Sequence, residues 1–185
     1  MSRGAGDSHL AAGRRSEPPL RPLDLLAALH RHEVEFVVIG GYSLAAHRYV
    51  RATKDLDVVP EPNRANLERL LAALEDLDAE PLAIGDFNAH EVPELNLENL
   101  ERGGNWLLRT RYGRLDVMQY VEGMKSYAQL RAGAITRELP GFDRPPLFAG
   151  LDDLIALKQA AGRDQDLADI AELERRRQAE RSSQG

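Results

Sequence analysis

The chain has no cysteine and no long apolar run, and each absence removes a class of protein. Without Cys there are no disulfides, no thiolate zinc sites and no cysteine nucleophiles. No apolar stretch approaches the roughly 20 residues that span a bilayer. Residues 1–22 also lack the continuous apolar segment of a secretory signal. We therefore expect a cytoplasmic protein with no membrane partner.

The chain also lacks an excess of positive charge. Its formal net charge is −6, which disfavours an extended surface that binds nucleic acid by neutralising phosphates. Contact with one end of an RNA, or with a nucleotide that brings its own metal, stays open. The 185 residues, 43% hydrophobic and 29% charged, suit one globular domain or one domain with a small appendage.

Turn residues and apolar periodicity divide the chain into three parts. Residues 1–19 are rich in Gly, Ser, Arg and Pro without apolar periodicity, so a disordered tail is predicted. Residues 20–140 are predicted to form the core, and residues 141–180 a helical segment packed on it.

The local patterns predict an α+β fold. It has a small mixed sheet, helices packed on one side and a C-terminal helical segment. Asn63 is a good N-cap for a helix with the clearest leucine stripe of the chain. Gly150 and Gly162 are expected to begin and end a later helix. Helices are predicted at 23–32, 42–49, after Asn63, at 123–131, at 151–161 and from 164, and strands at 35–39, 55–59, in a hairpin at 105–119, and at 134–138.

The most informative segment is the predicted strand that contains Asp55 and Asp57. Side chains two residues apart on a strand point to the same face, so the two carboxylates share a face while Leu56 and Val58 point to the core. Like charges on one face repel, and a divalent cation with oxygen ligands would offset that repulsion. The alternative is a solvated strand edge.

Asp116 is the third carboxylate of interest, because its neighbours Leu115 and Val117 are apolar. An acidic residue within a hydrophobic strand is costly unless it is paired or coordinates a metal. If its strand lies beside that of Asp55 and Asp57, three carboxylates meet and can hold two Mg²⁺ ions. The alternative is a surface aspartate beside Arg114 or Arg109.

Two further features suit phosphate. Gly40-Gly41 lies between a predicted buried strand and a helix N-terminus, where backbone and helix dipole favour an anion; a plain turn is the alternative. Lys158 continues the apolar face of its helix. It either extends its ammonium group to the surface or reaches a triphosphate as a point charge.

Together these segments resemble a known superfamily. Gly40-Gly41, the run Arg51-Ala52-Thr53-Lys54-Asp55-Leu56-Asp57, the run Gly113-Arg114-Leu115-Asp116-Val117 and the end of the chain from Leu151 to Asp169 resemble the nucleotidyltransferases that include DNA polymerase beta. Among these, the chain is most similar to the stand-alone bacterial proteins of the AbiEii and MenT toxin type. The thirteen residues between Gly41 and Asp55 match the longer loop of the toxin type.

The resemblance implies a metal-dependent enzyme that moves a nucleoside monophosphate from an NTP to an acceptor hydroxyl and releases pyrophosphate. The expected cofactor is Mg²⁺, as two ions, with Mn²⁺ as a possible substitute. The expected catalytic residues are Asp55, Asp57, Asp116 and Lys158, of which the three aspartates hold the metal. The expected nucleotide-binding residues are Gly40, Gly41, Ser43, Arg51, Thr53, Lys158 and Asp166, with Asp169 as the alternative to Asp166.

The resemblance leaves the acceptor open. A tRNA 3′ end is expected if the protein acts as a toxin, and a cognate antitoxin protein would then be a partner. The alternatives are an antibiotic hydroxyl or a protein as acceptor, or a non-catalytic module of the same fold that binds a nucleotide or a partner.

Overall fold

The computed structural model of the chain describes residues 17–82 and 92–183. Its elements confirm the predicted α+β class. The helices are α1 (Pro22–Arg31), α2 (Gly40–Ala46), α3 (Arg64–Asp76), α4 (Leu97–Glu101), α5 (Tyr127–Gly133), α6 (Leu151–Ala161) and α7 (Asp164–Ser183). The strands are β1 (Phe36–Val38), β2 (Asp55–Pro60), β3 (Glu80–Pro81), β4 (Asn105–Thr110), β5 (Gly113–Met118), β6 (Ile135–Thr136) and β7 (Leu147–Phe148).

The strands form one mixed sheet in the order β3-β4-β5-β2-β1-β7-β6. β4 and β5 form the predicted hairpin, and β5 then runs parallel to β2 at the centre of the sheet. β1 pairs antiparallel to β2 and parallel to β7. The order therefore places the two acid-bearing strands, β2 and β5, side by side.

Helices pack on the two faces of the sheet as two groups. Leucines of α1, α3 and α4 join Leu56, Val58, Leu115 and Val117 in the larger core cluster. On the opposite face, Val37 and Val59 join apolar side chains of α5, α6 and α7 in a second cluster. The predicted packing on one side thus holds for α1, α3 and α4, and the C-terminal helices cover part of the other face.

The predicted caps agree with the structure. The Asn63 side chain accepts a hydrogen bond from the backbone N–H of Asn66, so it caps α3. Gly150 is the N-cap of α6, and Gly162 ends that helix in the left-handed conformation at φ 61°. Ser126 caps α5, which is why that helix begins later than predicted.

Several elements differ from the prediction. α2 was predicted from residue 42 but begins at Gly40, so the two glycines form its first turn instead of a preceding loop. β3 and β7 have two residues each, and α4 has five, which is too short for a periodic pattern to show. β7 nevertheless extends the sheet beside β1.

The predicted disordered tail lies mostly outside the described residues, which start at residue 17. At its described end, Glu17 Oε1 lies 3.7 Å from Arg114 Nε. In the described parts of the chain, no helix combines the length and apolarity that crossing a membrane requires.

We predict that Asn66→Ala lowers the free energy of unfolding by about 2–4 kcal/mol. Asn66 is fully buried, and its amide group bonds to the backbone N–H and C=O of Glu35 and to the C=O of Glu61. Truncation removes the bonds to the Glu35 N–H and the Glu61 C=O, while the Glu35 C=O keeps only its bond from the Glu61 N–H. Urea denaturation measures the loss, and Asn63→Ala, which removes only the cap, is expected to cost about 1 kcal/mol. Equal costs for the two variants would contradict this account of Asn66.

Candidate active site

The register of β2 against β5 brings three carboxylates to one sheet face, here named the acidic face. Asp57 lies opposite Asp116, and Asp55 lies opposite Arg114. Asp116 is 7% exposed, and its buried Oδ1 atom has no hydrogen-bond partner among the residues that the structure describes. The register thus meets the condition for three carboxylates to share a face, because the strand of Asp116 lies beside that of Asp55 and Asp57.

Burial and mutual repulsion raise the pKa values of two carboxylates of the acidic face. Burial, together with the charges of Asp55 and Asp116, raises the pKa of Asp57 from 3.8 to about 7. Burial also raises the pKa of Asp116 to about 6, against the opposing influence of Arg114. The Arg114 Nη2 atom lies 3.7 Å from Asp116 Oδ2 and only partly offsets its charge. An added cation would therefore be stabilised between these strands.

Gly40 lies against Asp57 of β2, and Gly41 lies against Thr53, just before that strand. Gly40 has φ +62°, and a Cβ atom there would lie 2.0 Å from Asp57 Oδ2. A Cβ atom on Gly41 would lie 2.7 Å from Thr53 Cβ. Thr53 in turn donates a hydrogen bond of 3.0 Å to Asp55 Oδ1. The glycines are thus required by close approach, and Thr53 fixes one of the carboxylates.

The Ser43 hydroxyl has a hydrogen-bond partner within the fold. Its hydroxyl is fully buried and donates to the backbone C=O of Ala149 at 3.1 Å. His47 Nε2 lies 2.9 Å from the same oxygen. The hydroxyl predicted to meet phosphate therefore joins α2 to the residue after β7.

Lys158, expected either to extend its ammonium group to the surface or to reach a triphosphate, is buried among carboxylates. It is 6% exposed, and its Nζ atom lies 3.0 Å from Asp166 Oδ1 and 2.5 Å from Asp169 Oδ2. Asp166 and Asp169, which the sequence offers as alternatives, both bind this lysine. Its ammonium group therefore does not extend to the surface; it lies within a buried ion cluster between α6 and α7.

Two arginines and a tyrosine complete this ion cluster. Arg163 Nε donates to Asp166 Oδ2 at 2.8 Å, and Arg51 Nε lies 3.2 Å from Asp169 Oδ2. Tyr49 donates to Asp169 Oδ1 at 2.9 Å. Burial alone would raise the pKa of Asp166, but the hydrogen bonds from Arg163 and Lys158 outweigh burial and hold it below the usual value.

Arg163 is the residue that sequence reasoning missed. Its charge lowers the pKa of Asp57, which places it within electrostatic reach of the acidic face. The signal was present, because an arginine directly after the Gly162 helix end stands three residues before Asp166. Tyr49 carried no comparable signal.

The acidic face suits a hard cation, although it is not a complete metal site. Within residues 17–82 and 92–183, no group of three or more acidic or histidine side chains forms a metal-binding cluster. Mg²⁺, however, is commonly held by one or two carboxylates together with substrate phosphates and water. The unpartnered Oδ1 of Asp116 and the opposed Asp57 provide carboxylate oxygens of that kind.

We predict that Gly40→Ala destabilises the protein more than Gly103→Ala. Both glycines have positive φ, but a Cβ atom on Gly103 meets nothing within 4 Å. The backbone cost of about 1–2 kcal/mol is shared, and the clash with Asp57 adds about 1–3 kcal/mol at Gly40. Urea denaturation measures both variants. Indistinguishable losses would show that Gly40 does not abut Asp57.

We predict that the metal-free protein loses stability as pH rises from about 4 to about 7. The pKa values of Asp57 and Asp116 are about 7 and about 6, against 3.8 for a free carboxyl. In this window the folded state binds more protons than the unfolded state, so the free energy of unfolding falls with pH. Mg²⁺ needs ionised ligands, so it should stabilise the protein at about pH 8 and not at about pH 5.

The control for this pH dependence is Asp57→Asn, which cannot ionise. Its unfolding free energy should fall less steeply with pH than that of the wild type. Thermal melts across the pH range, with and without Mg²⁺, give both slopes. A wild-type stability that rises steadily through this window would contradict the electrostatic description of the acidic face.

Comparison with known proteins finds solved structures of similar shape. A solution structure of the antibiotic-resistance factor ANT(2'')-Ia aligns with a TM-score of 0.49 and 17% identity, over 87% of this chain and 89% of that chain. A crystal structure of ANT(2'')-Ia in complex with adenylyl-2''-tobramycin aligns with a TM-score of 0.49 and 16% identity, over 87% and 95% of the two chains. No protein-family profile and no curated protein sequence matches this chain. Likeness of this degree supports no statement about chemistry.

Proposed function

We propose that the chain is a metal-dependent nucleotidyltransferase with a polymerase-beta-like core. The observation that carries the proposal is the parallel register that sets Asp57 opposite Asp116, with a buried, unpartnered oxygen on Asp116. The carboxylates of Asp57 and Asp116 can bind a divalent cation, and the glycines in the first turn of α2 lie directly beside them. This arrangement suits a triphosphate that binds together with the cation.

Each residue of the acidic face has a part in this proposal. Asp55, Asp57 and Asp116 would hold up to two Mg²⁺ ions, or Mn²⁺ in their place. When bound, the metal would supply positive charge to the phosphate oxygens. Gly40 and Gly41 let the first turn of α2 approach Asp57 and Thr53 closely, and Thr53 keeps the Asp55 carboxylate oriented.

The chemistry is the displacement of pyrophosphate. The acceptor oxygen forms a bond to the α-phosphorus of the NTP, and the bond from that phosphorus to the pyrophosphate oxygen breaks. Asp116 would accept the hydroxyl proton as the general base, provided that the acceptor hydroxyl lies within hydrogen-bond reach of its carboxylate. Positioning and charge stabilisation account for the rest of the rate.

The acceptor is the part that the acidic face alone leaves open. A tRNA 3′ end contacts the protein at one terminus, which is compatible with the net charge of −6. It is our first candidate acceptor, and a toxin–antitoxin pair would be its setting. The alternative acceptor is a small molecule with a free hydroxyl, such as an antibiotic, or a protein.

We predict that the protein binds at least one of ATP, CTP, GTP and UTP in the presence of Mg²⁺. Asp57→Asn and Asp116→Asn should each weaken this binding by at least about 10–100-fold, since even outer-sphere changes at metal sites cost that much. Isothermal titration calorimetry measures the affinities. The matched control is Asp78→Asn, an aspartate whose side chain is 75% exposed.

Transfer itself is tested by incubating the protein and a labelled NTP with total tRNA, or with an aminoglycoside. Label in the tRNA supports the toxin reading, and label in the small molecule supports the antibiotic-modifying reading. Binding without transfer to any acceptor would favour a non-catalytic nucleotide-binding module. A wild-type protein that binds none of the four nucleotides would refute the proposed function.

A further inference from the structure

Lys158 has little capacity left to bind a substrate. An ammonium group has three donors, and Asp166 and Asp169 take two of them at 3.0 and 2.5 Å. Both aspartates are 1% exposed, and Lys158 is 6% exposed. A lysine in this position compensates two buried carboxylates, which would otherwise carry an unbalanced negative charge.

Each of these aspartates has a second cation on its outer side. Asp166 accepts bonds from the Arg163 guanidinium through Nε at 2.8 Å and through Nη2 at 3.4 Å. Asp169 lies 3.2 Å from Arg51 Nε and also accepts a bond from Tyr49. The cluster is therefore layered, with the lysine inside and the two arginines outside.

The arginines are more exposed than the lysine. The Arg163 side chain is 72% exposed and the Arg51 side chain 24%. Each guanidinium has five N–H donors in a planar fork, so both keep donors that the aspartates do not use. A guanidinium is also the side chain best shaped to bind phosphate at two points.

The two arginines are connected to each other and to the acidic face. Arg163, between α6 and α7, is joined to Arg51 through Asp166, Lys158 and Asp169, and its charge also lowers the pKa of Asp57. Arg51 stands two residues before Thr53, whose hydroxyl bonds to Asp55. The chain thus holds two cations at the border of the carboxylates that the proposed function assigns to the metal.

We propose that Arg163 and Arg51 bind the phosphates of the nucleotide, and that Lys158 is a positioning residue that acts through Asp166 and Asp169. The inference rests on the proposed function. In it, the lysine fixes two buried aspartates, each aspartate orients one arginine, and the arginines neutralise charge on the triphosphate and on the pyrophosphate that leaves.

Nucleotide affinities of single and combined variants test whether Lys158 acts only through the two arginines. With the NTP that binds the wild type, Arg163→Gln should raise the dissociation constant about tenfold, the cost of one charged hydrogen bond. Arg163→Lys should restore part of the affinity. Lys158→Met should also weaken binding. In an Arg51→Gln/Arg163→Gln background, however, adding Lys158→Met should change the affinity less than about twofold.

A further loss of about tenfold from Lys158→Met in that background would overturn the inference, because the lysine would then contact the nucleotide directly. Arg102→Gln is the matched control. Its guanidinium is also exposed, at 69%, but it pairs with Glu98 on α4, on the other face of the sheet. It should leave the affinity unchanged, and an equal loss there would show a nonspecific charge effect that also overturns the inference.

A second measurement does not depend on nucleotide binding, and its decisive part uses only the wild-type protein. The chain has three lysines, and Lys54 and Lys125 are exposed internal standards. An amine-reactive reagent followed by mass spectrometry should label these two quickly and Lys158 slowly. Asp166→Asn/Asp169→Asn should speed labelling of Lys158. Fast labelling of Lys158 in the wild type would overturn the inference even if the protein binds no NTP, whereas absent NTP binding with slow labelling refutes only the proposed function.

Discussion

The parallel pairing of β2 with β5 is the constraint on which the candidate site depends. These strands are distant in sequence, yet their register sets Asp57 opposite Asp116 and Leu56 opposite Leu115. The leucines lie in the larger core, so slipping the register by one residue would bury carboxylates and expose leucines. Hydrophobic packing on one face therefore fixes the acidic residues on the other. The fold keeps these like charges close together because moving the strands apart would expose the leucines of the larger core.

The second constraint is the buried ion cluster around Lys158. It joins α6 and α7 to the segment between α2 and β2, since Asp169 contacts both Tyr49 and Arg51. Ser43 and His47 join α2 to the residue after β7. These polar contacts hold α2 and the segment before β2 against the C-terminal helices, next to the acidic face. The glycines of α2 then approach Asp57 closely enough that no side chain fits between them.

The sequence predicted most of what local periodicity can encode. The period of two placed Asp55 and Asp57 on one face, and the turn residues marked the β4–β5 hairpin and the caps of α3 and α6. The adjacency of β2 and β5 was a conditional expectation, because strand order depends on packing over long sequence separations. The partners of Lys158 and Ser43 could not be read from the sequence, since an inward-pointing polar side chain does not show which group will meet it. Short elements such as β7 gave no pattern at all.

The central claim is that Asp57 and Asp116 hold a divalent cation for a nucleotide. Anomalous diffraction from crystals grown with Mn²⁺ and a non-hydrolysable NTP analogue tests it most directly. We predict an anomalous peak within coordination distance of carboxylate oxygens from both strands, with the triphosphate oxygens among its ligands. A bound nucleotide with no metal at these carboxylates, or a metal held elsewhere on the chain, would contradict the claim.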